Sequence, residues 1–84
     1  SSAQTAATNF AFYARPVVNN DGLIVAATGN DGKQNSSYPA AAPFYAAELR
    51  NNMLAVANLA LDAQGKPNGL ASSSNWCGDA KDWC

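Results

Sequence analysis

The chain has 84 residues, a formal net charge of −1 and 13% charged residues, with no cluster of lysine or arginine. Nucleic acids and anionic membranes attract proteins through such clusters, so the composition excludes both as partners. Hydrophobic residues make up 48% of the sequence, but eighteen of them are alanines, which bury little apolar area each. A self-sufficient core is therefore not expected.

The apolar stretches of the sequence are short. A membrane-spanning helix needs roughly 20 consecutive apolar residues, and none of the stretches approaches that length, so we expect no direct insertion into a membrane. The chain starts at Ser1 and stops at Cys84 with no linker on either side. We therefore expect an excerpt from a longer protein.

The first predicted element is an amphipathic helix over residues 3–15. Apolar residues recur there at helical spacing, namely Ala7, Phe10, Ala11 and Ala14. Pro16 disfavours helical geometry at Arg15, so we expect the helix to end or kink at that point. Asn19-Asn20-Asp21-Gly22 then predicts a turn.

Residues 23–28 predict a buried strand, because a short run rich in β-branched and other apolar residues breaks abruptly into Gly29 and a polar turn. Asn30-Asp31-Gly32 forms that turn at the carboxyl end of the strand. Ligands of open α/β sheets bind at the carboxyl ends of the strands. The strand end is therefore the candidate site.

The following segment predicts a loop and a second strand. Residues 31–37 are small and polar, which predicts a loop, and Tyr38-Pro39 closes it. We expect the Tyr38-Pro39 peptide bond to be cis, because an aromatic residue before proline favours that isomer. Residues 46–51 predict one helical turn, and residues 53–60 predict a second buried strand, parallel to the first. Helix, turn and strand in this order are typical of the units that build a parallel, doubly wound α/β sheet.

A short strand over residues 70–75 is expected to return from the Gly and Pro turn before it, ahead of a cysteine loop at 77–84. Cys77 and Cys84 cannot form a four-ligand zinc site in a sequence without histidine. A disulfide is favoured, which would stabilise the fold by about 2.5 kcal/mol and imply an oxidising compartment. Two free thiols in a cytosolic protein are the alternative.

No cofactor is expected. Gly29-Asn30-Asp31-Gly32-Lys33 lacks the spacing of a phosphate-binding Walker loop. Asp79 and Asp82 beside the cysteines lack the spacing of an EF-hand, so neither a nucleotide nor a metal site is predicted.

Four short patterns, taken in chain order, resemble those of a known family. They are Leu23-Ile24-Val25-Ala26-Ala27-Thr28-Gly29-Asn30-Asp31-Gly32, then Tyr38-Pro39, then the apolar run with Val56-Ala57, and finally Ser74-Asn75-Trp76-Cys77 through Cys84. This order resembles the subtilisin-like serine proteases, or subtilases, over residues 23–84. The ending is similar to the disulfide loop of bacterial subtilases secreted as autotransporter passengers. On this resemblance residues 1–84 are the central part of a single catalytic domain with a Rossmann-like sheet.

The resemblance implies roles for five residues. Asn30 would be the oxyanion-hole asparagine, whose side-chain amide donates to the developing oxyanion. The loss of that donor costs about 100- to 1000-fold in kcat, a magnitude measured on subtilisin. Ala27, Thr28 and Gly29 would form one wall of the primary specificity pocket, and Ser37 would lie near its base. The loop between Asn30 and Tyr38 is shorter than in the best-known members.

The catalytic triad is not expected in this chain. The family's base is histidine, which the sequence lacks, and its Gly-Thr-Ser-x-Ala nucleophile pattern is absent as well. Asp21, Asp31 and Asp62 are interpreted as turn residues. The isolated chain is expected to be inactive, and its partners would be a polypeptide substrate and the remainder of the catalytic domain, outside the cell or on a bacterial surface.

Two further expectations concern the isolated chain. Strands made for a larger sheet would leave apolar faces and edges open, which favours self-association. The alternative function is a non-enzymatic extracellular binding or structural module, in which the cysteine loop and its tryptophans, Trp76 and Trp83, form a recognition surface.

Overall fold

The computed structural model describes residues 2–84 as a mixed arrangement of helices and strands. In chain order the elements are α1 (Ser2–Asn19), β1 (Ile24–Ala27), α2 (Ala42–Tyr45), the 3₁₀ helix η1 (Ala47–Asn52), β2 (Met53–Val56), β3 (Leu59–Leu61), β4 (Pro67–Leu70) and the 3₁₀ helix η2 (Gly78–Trp83).

The central sheet consists of β1 and β2, which run parallel as predicted. Ile24 lies opposite Met53 and Ala27 lies opposite Val56. One further backbone hydrogen bond, from Thr28 N to the Val56 oxygen (3.0 Å), extends the pairing beyond the end of β1. Parallel neighbours need a long crossover, and the loop after β1, α2 and η1 supply it here.

The two faces of this sheet differ in burial. Ala26 and Ala55 point into the core, whereas the alternate residues Val25, Leu54 and Val56 point outward and are 59%, 41% and 45% exposed. Parallel sheets are normally covered on both faces. Within residues 2–84 only one face is covered, so the structure shows a parallel pair and not a complete doubly wound sheet.

The core is built mainly from alanines, which account for nine of the twelve buried hydrophobic residues described. Ala7, Ala11 and Ala14 give α1 its buried stripe at spacings of four and three residues. The three larger members are Leu49, Met53 and Trp83, and the Trp83 indole N–H donates to the Ala40 oxygen (2.8 Å). The small volume of alanine lets the elements approach closely, but each burial contributes little free energy.

Helix α1 is longer than predicted, because it continues through Pro16 to Asn19. Of the expected end or kink at Arg15, the end is therefore wrong, and the kink stays a prediction. Continuing the helix packs Val18 against the core, and Pro16 is on the exposed side, where the loss of one backbone hydrogen bond is tolerated. Tertiary packing outweighs the local preference of proline here.

Helix α1 ends in a Schellman motif, which forms the predicted turn. Gly22 N donates to the Val17 oxygen (2.8 Å) and Asp21 N donates to the Val18 oxygen (3.1 Å). Asp21 occupies the left-handed position with φ 56°, a conformation that normally favours glycine. A side chain on Gly22 would lie 2.6 Å from Val17 Cγ1. The geometry of the helix end thus places Asp21 in the left-handed conformation and leaves no room for a side chain at Gly22.

The second predicted strand, residues 53–60, is divided in two. β2 ends at Val56, and β3 begins at Leu59, because the backbone of Asn58 turns away from the parallel pair. The Ser74 hydroxyl accepts from Asn58 N (3.0 Å), and Ala71 N donates to the Asn58 oxygen (3.0 Å). The chain then enters an antiparallel hairpin of β3 and β4.

The expected strand over residues 70–75 is also wrong, since β4 spans Pro67–Leu70 and a turn follows it. Ser74 N donates to the Ala71 oxygen (3.0 Å) and closes that turn. Asp62 shapes the hairpin loop, because its Oδ1 accepts from Gln64 N and Lys66 N, each at 2.9 Å. The interpretation of Asp62 as a turn residue is confirmed.

Several local predictions are confirmed. The first strand is shorter than the predicted 23–28 by one residue at each end, and the helical turn near 46–51 is η1. The Tyr38-Pro39 bond is cis, and Cys77 and Cys84 form a disulfide.

No helix in the described part of the chain has both the length and the hydrophobicity to cross a bilayer.

Replacement of Asp21 by glycine should stabilise the protein. Glycine adopts φ 56° without the side-chain clash that strains aspartate, so Asp21→Gly should raise the free energy of unfolding by about 0.5 to 1 kcal/mol, net of the greater freedom of the unfolded chain. Urea unfolding followed by tryptophan fluorescence measures the change. Asp82→Gly, which lies on η2 without a positive φ, is the matched control and should lower the free energy instead. Equal effects of the two changes would contradict the assignment of strain to Asp21.

Candidate functional site

A groove of about 390 Å³ lies at the carboxyl ends of β1 and β2. Ligands of parallel α/β sheets bind at this position. None of the residues that line the groove is charged, and most are small or apolar. They are Val25, Ala27, Thr28, Gly29, Asn30, Val56, Ala57 and Asn58.

Asn30 is exposed in the bend that follows β1. Its side chain makes no hydrogen bond with any residue of the described range 2–84. The two N–H donors of its amide are therefore available to a ligand in the groove.

Four of the five predicted site residues line the groove, and the fifth, Ser37, is bonded to one of them without lining it. Ala27, Thr28 and Gly29 line the groove beside Asn30, on the wall that β1 and its continuation form. Ser37 is not among the lining residues. Its backbone N–H donates to the Thr28 oxygen (2.8 Å), and its hydroxyl accepts from Asn75 Nδ2 (2.9 Å). Its role near a pocket base stays a prediction.

A buried asparagine, Asn75, organises the backbone of the groove wall. Asn75 is 0% exposed, and its Oδ1 accepts from Asp31 N (3.0 Å) and Lys33 N (2.9 Å). Its Nδ2 donates to the Thr28 oxygen and to Ser37 Oγ, both at 2.9 Å. The side-chain amide thus uses both donors and both acceptor positions within the protein.

The main chain around Asn75 also pairs with the groove wall. Asn75 N donates to the Gly29 oxygen (2.8 Å), and its own oxygen accepts from Thr28 Oγ1 (3.0 Å). On either side, Gly32 N donates to the Ser73 oxygen and Trp76 N donates to the Lys33 oxygen. Residues 29–33 and 73–76 are therefore held as one unit, although more than forty positions separate them in the sequence.

The disulfide loop is anchored to the same loop through Ser36 and Asn35. The Ser36 hydroxyl lies within hydrogen-bond distance of the carbonyl oxygens of Trp76 (3.2 Å) and Cys77 (3.0 Å). The Asn35 side-chain oxygen accepts from Asp79 N (3.1 Å). The disulfide loop is therefore connected to the groove wall, and the disulfide restrains the segment that carries Asn75.

Gly29 is required at its position for two reasons. Its φ of +112° lies in a region that other residues rarely adopt, and a Cβ would fall against Asn75 Nδ2 and 2.9 Å from Ser37 Oγ. The absence of a side chain allows the groove wall to pass directly over the Asn75 amide.

The chemistry available in the groove is hydrogen-bond donation by neutral groups. Asn30 and Asn58 carry the side-chain amides, one at the end of each strand of the pair. No cluster of acidic, cysteine or histidine residues suited to a metal ion occurs between residues 2 and 84. Such a groove can hold a neutral chain and stabilise a negative charge that develops on one oxygen.

Sequence reasoning did not assign a role to Asn75. The Ser74-Asn75 pair contributes to the family resemblance, but an asparagine between serine and tryptophan carries no local sign of burial. Its partners lie 38 to 47 positions away in the sequence. Only the fold brings them together.

The chain resembles a much longer curated protein. It is 38% identical over 66 residues to serotype-specific antigen 1 of Mannheimia haemolytica. The match covers 79% of this chain and 6% of the length of that protein. No family model matches the chain, and no solved structure does.

Substitution of Gly29 should be more damaging than substitution of another glycine with positive φ. Gly29→Ala adds both backbone strain and a collision with Asn75 and Ser37, so it should lower the free energy of unfolding by about 2 to 4 kcal/mol. Gly65 has φ +75° but open space around its Cβ position, so Gly65→Ala should cost only about 1 kcal/mol. Urea unfolding of both variants measures the difference. Equal losses would show that the close approach to Asn75 carries no cost.

Proposed function

We propose that the chain is the central segment of a secreted subtilisin-like serine endopeptidase, in which it supplies the oxyanion-hole donor and part of the substrate groove. The observation that carries the proposal is the position of Asn30, whose side-chain amide has no partner in residues 2–84 and which lines an uncharged groove at the strand ends. The family resemblance of residues 23–84 supports it from the sequence.

The proposed mechanism assigns one chemical step to this chain. When a serine attacks a peptide carbonyl, negative charge develops on the carbonyl oxygen of the tetrahedral intermediate. The Asn30 amide would donate a hydrogen bond to that oxygen from a rigid strand end, so little reorganisation accompanies the reaction. The nucleophile, its histidine base and the orienting aspartate belong to the remainder of the catalytic domain in this proposal.

The substrate would lie along the groove wall of Ala27, Thr28 and Gly29, with Ser37 near the base of the primary specificity pocket. The groove is uncharged and about 390 Å³ in volume, which suits a polypeptide with an uncharged side chain at this point. No cofactor enters the proposed reaction.

The remainder of the catalytic domain is the proposed partner of the sheet's open face. Leu54 is 41% exposed on this face outside the groove, and further helices and strands packed against it would complete a doubly wound, Rossmann-like sheet. Val25 and Val56, which line the groove, would stay open to the substrate. In the isolated chain the same face favours self-association, because its apolar side chains are uncovered and the backbone groups at the sheet edges are unpaired.

The proposed location is the extracellular space or a bacterial cell surface. The Cys77–Cys84 disulfide indicates an oxidising compartment. The relative in Mannheimia haemolytica is named as an antigen, which agrees with exposure outside the cell.

A non-enzymatic extracellular binding module is the second candidate. One observation favours it, since Trp76 is 58% exposed directly before the disulfide loop, and exposed tryptophans are frequent in recognition surfaces. Trp83 was also expected to contribute to this recognition surface, but its side chain is buried and its indole N–H donates to the Ala40 oxygen.

Removal of the Asn30 amide should lower catalysis without weakening substrate binding. In the full-length protein Asn30→Ala should reduce kcat by about 100- to 1000-fold and leave KM nearly unchanged, because the hydrogen bond forms only as charge develops. Steady-state kinetics on peptide substrates measures both constants. Asn51→Ala, an exposed asparagine of η1 outside the groove, is the matched control and should retain the kcat of the wild type. A loss confined to KM would contradict the proposed role.

A further inference from the structure

Asn75 is buried to a degree unusual for a side-chain amide. It is 0% exposed, yet each of its polar atoms has a hydrogen-bond partner within the protein. A buried amide without partners is strongly unfavourable, so the side chain can occupy this place only in one orientation. The arrangement is therefore specific and does not merely fill space.

The hydrogen bonds of Asn75 enclose Asn30 on both sides. On the amino side, the side-chain Nδ2 of Asn75 donates to the Thr28 oxygen (2.9 Å). The main-chain N–H of Asn75 donates to the Gly29 oxygen (2.8 Å), a bond that alanine or serine at this position would keep. On the carboxyl side, Asn75 Oδ1 accepts from Asp31 N (3.0 Å) and Lys33 N (2.9 Å). Asn30 itself makes none of these bonds and has its side chain left for the groove.

No other side chain among residues 2–84 bonds to the backbone on both sides of Asn30. The bend at Asn30 is otherwise exposed, and exposed bends sample several conformations unless other groups restrain them. Main-chain bonds such as that from Gly32 N to the Ser73 oxygen also hold this loop, but only the Asn75 side chain bonds to the backbone directly before and after the bend. Asn75 itself does not line the groove.

We propose that Asn75 is a positioning residue, which holds the backbone at Asn30 so that the Asn30 amide is aimed at the reacting oxygen before substrate binds. This inference rests on the proposed function, because it assigns Asn75 an effect on catalysis that passes through Asn30. Asn75 touches neither the substrate nor the reacting atoms.

A double-mutant cycle in the full-length protein tests the inference. Asn75→Ala alone should lower kcat by about 10- to 100-fold with little change in KM, because a misplacement of about 1 Å at a reacting group has an effect of this size. In the Asn30→Ala background the same change should alter kcat by no more than about twofold, since the amide it positions is gone. A purely structural role would give the same loss in both backgrounds.

Two additional variants separate positioning from a general loss of stability. Leu49→Ala opens a cavity at a fully buried residue outside the groove, and it should destabilise the protein while kcat per folded molecule stays at the wild-type value. Asn75→Ser keeps one short polar group and should give a kcat between those of wild type and Asn75→Ala. It also keeps the cycle measurable if Asn75→Ala does not fold. The folded fraction is determined from tryptophan fluorescence in each case.

The outcomes separate the inference from the function on which it rests. If Asn30→Ala lowers kcat but the Asn75 variants lower it equally with and without Asn30, the positioning role is overturned and the proposed function stands. If Asn30→Ala leaves kcat unchanged, both are overturned. A loss that appears only when Asn30 is present supports both.

Discussion

The candidate site depends on the side-chain amide of Asn75. Three of its four hydrogen bonds reach the backbone of residues 28–33, after β1, and the fourth reaches the Ser37 hydroxyl, so the amide joins this loop to the segment before the disulfide. Because the Asn75 side chain is fully buried, the loss of a partner would leave a polar group of the amide unsatisfied, which is costly. Because Gly29 has no side chain, its backbone can lie directly against the Asn75 amide, and the disulfide restrains the Asn75 segment from the other end. A loop that faces solvent is thereby tied to a buried segment at several points, and in the proposed function this would hold the Asn30 donor in place before the reaction.

The core and the sheet show why this arrangement relies so strongly on hydrogen bonds. Most of the buried hydrophobic residues described are alanines, whose burial contributes little free energy per residue. The parallel pair of β1 and β2 is covered on one face only, and Leu54 remains 41% exposed on the other. A segment that is part of a larger domain can be organised in this way, because the rest of the domain supplies the missing apolar contacts. We propose that relation here, and the match to 6% of a much longer protein is consistent with it.

The features that local patterns determine were predictable from the sequence. Both strands of the parallel pair, the turn after α1, the cis bond before Pro39 and the Cys77–Cys84 disulfide each depend on neighbouring residues or on a short spacing. The errors have the opposite character. Helix α1 passes through Pro16 because packing at Val18 outweighs the local preference, and the second strand breaks at Asn58 because of bonds to residues more than ten positions away.

The same distinction applies to the site. A strand that ends in a polar turn predicts the place of a site, and the resemblance to subtilases is what grouped Ala27, Thr28 and Gly29 with Asn30 there; all four line the groove. The contribution of Asn75 could not be predicted, because a buried hydrogen-bonding residue has no periodicity and its partners are distant in the chain.

The most direct measurement is the intact mass of the protein from its natural source, before and after a fluorophosphonate probe that labels activated serines. The account predicts a large protein that gains one adduct on a serine outside these 84 residues, whereas a protein that contains this segment but remains unlabelled would contradict it.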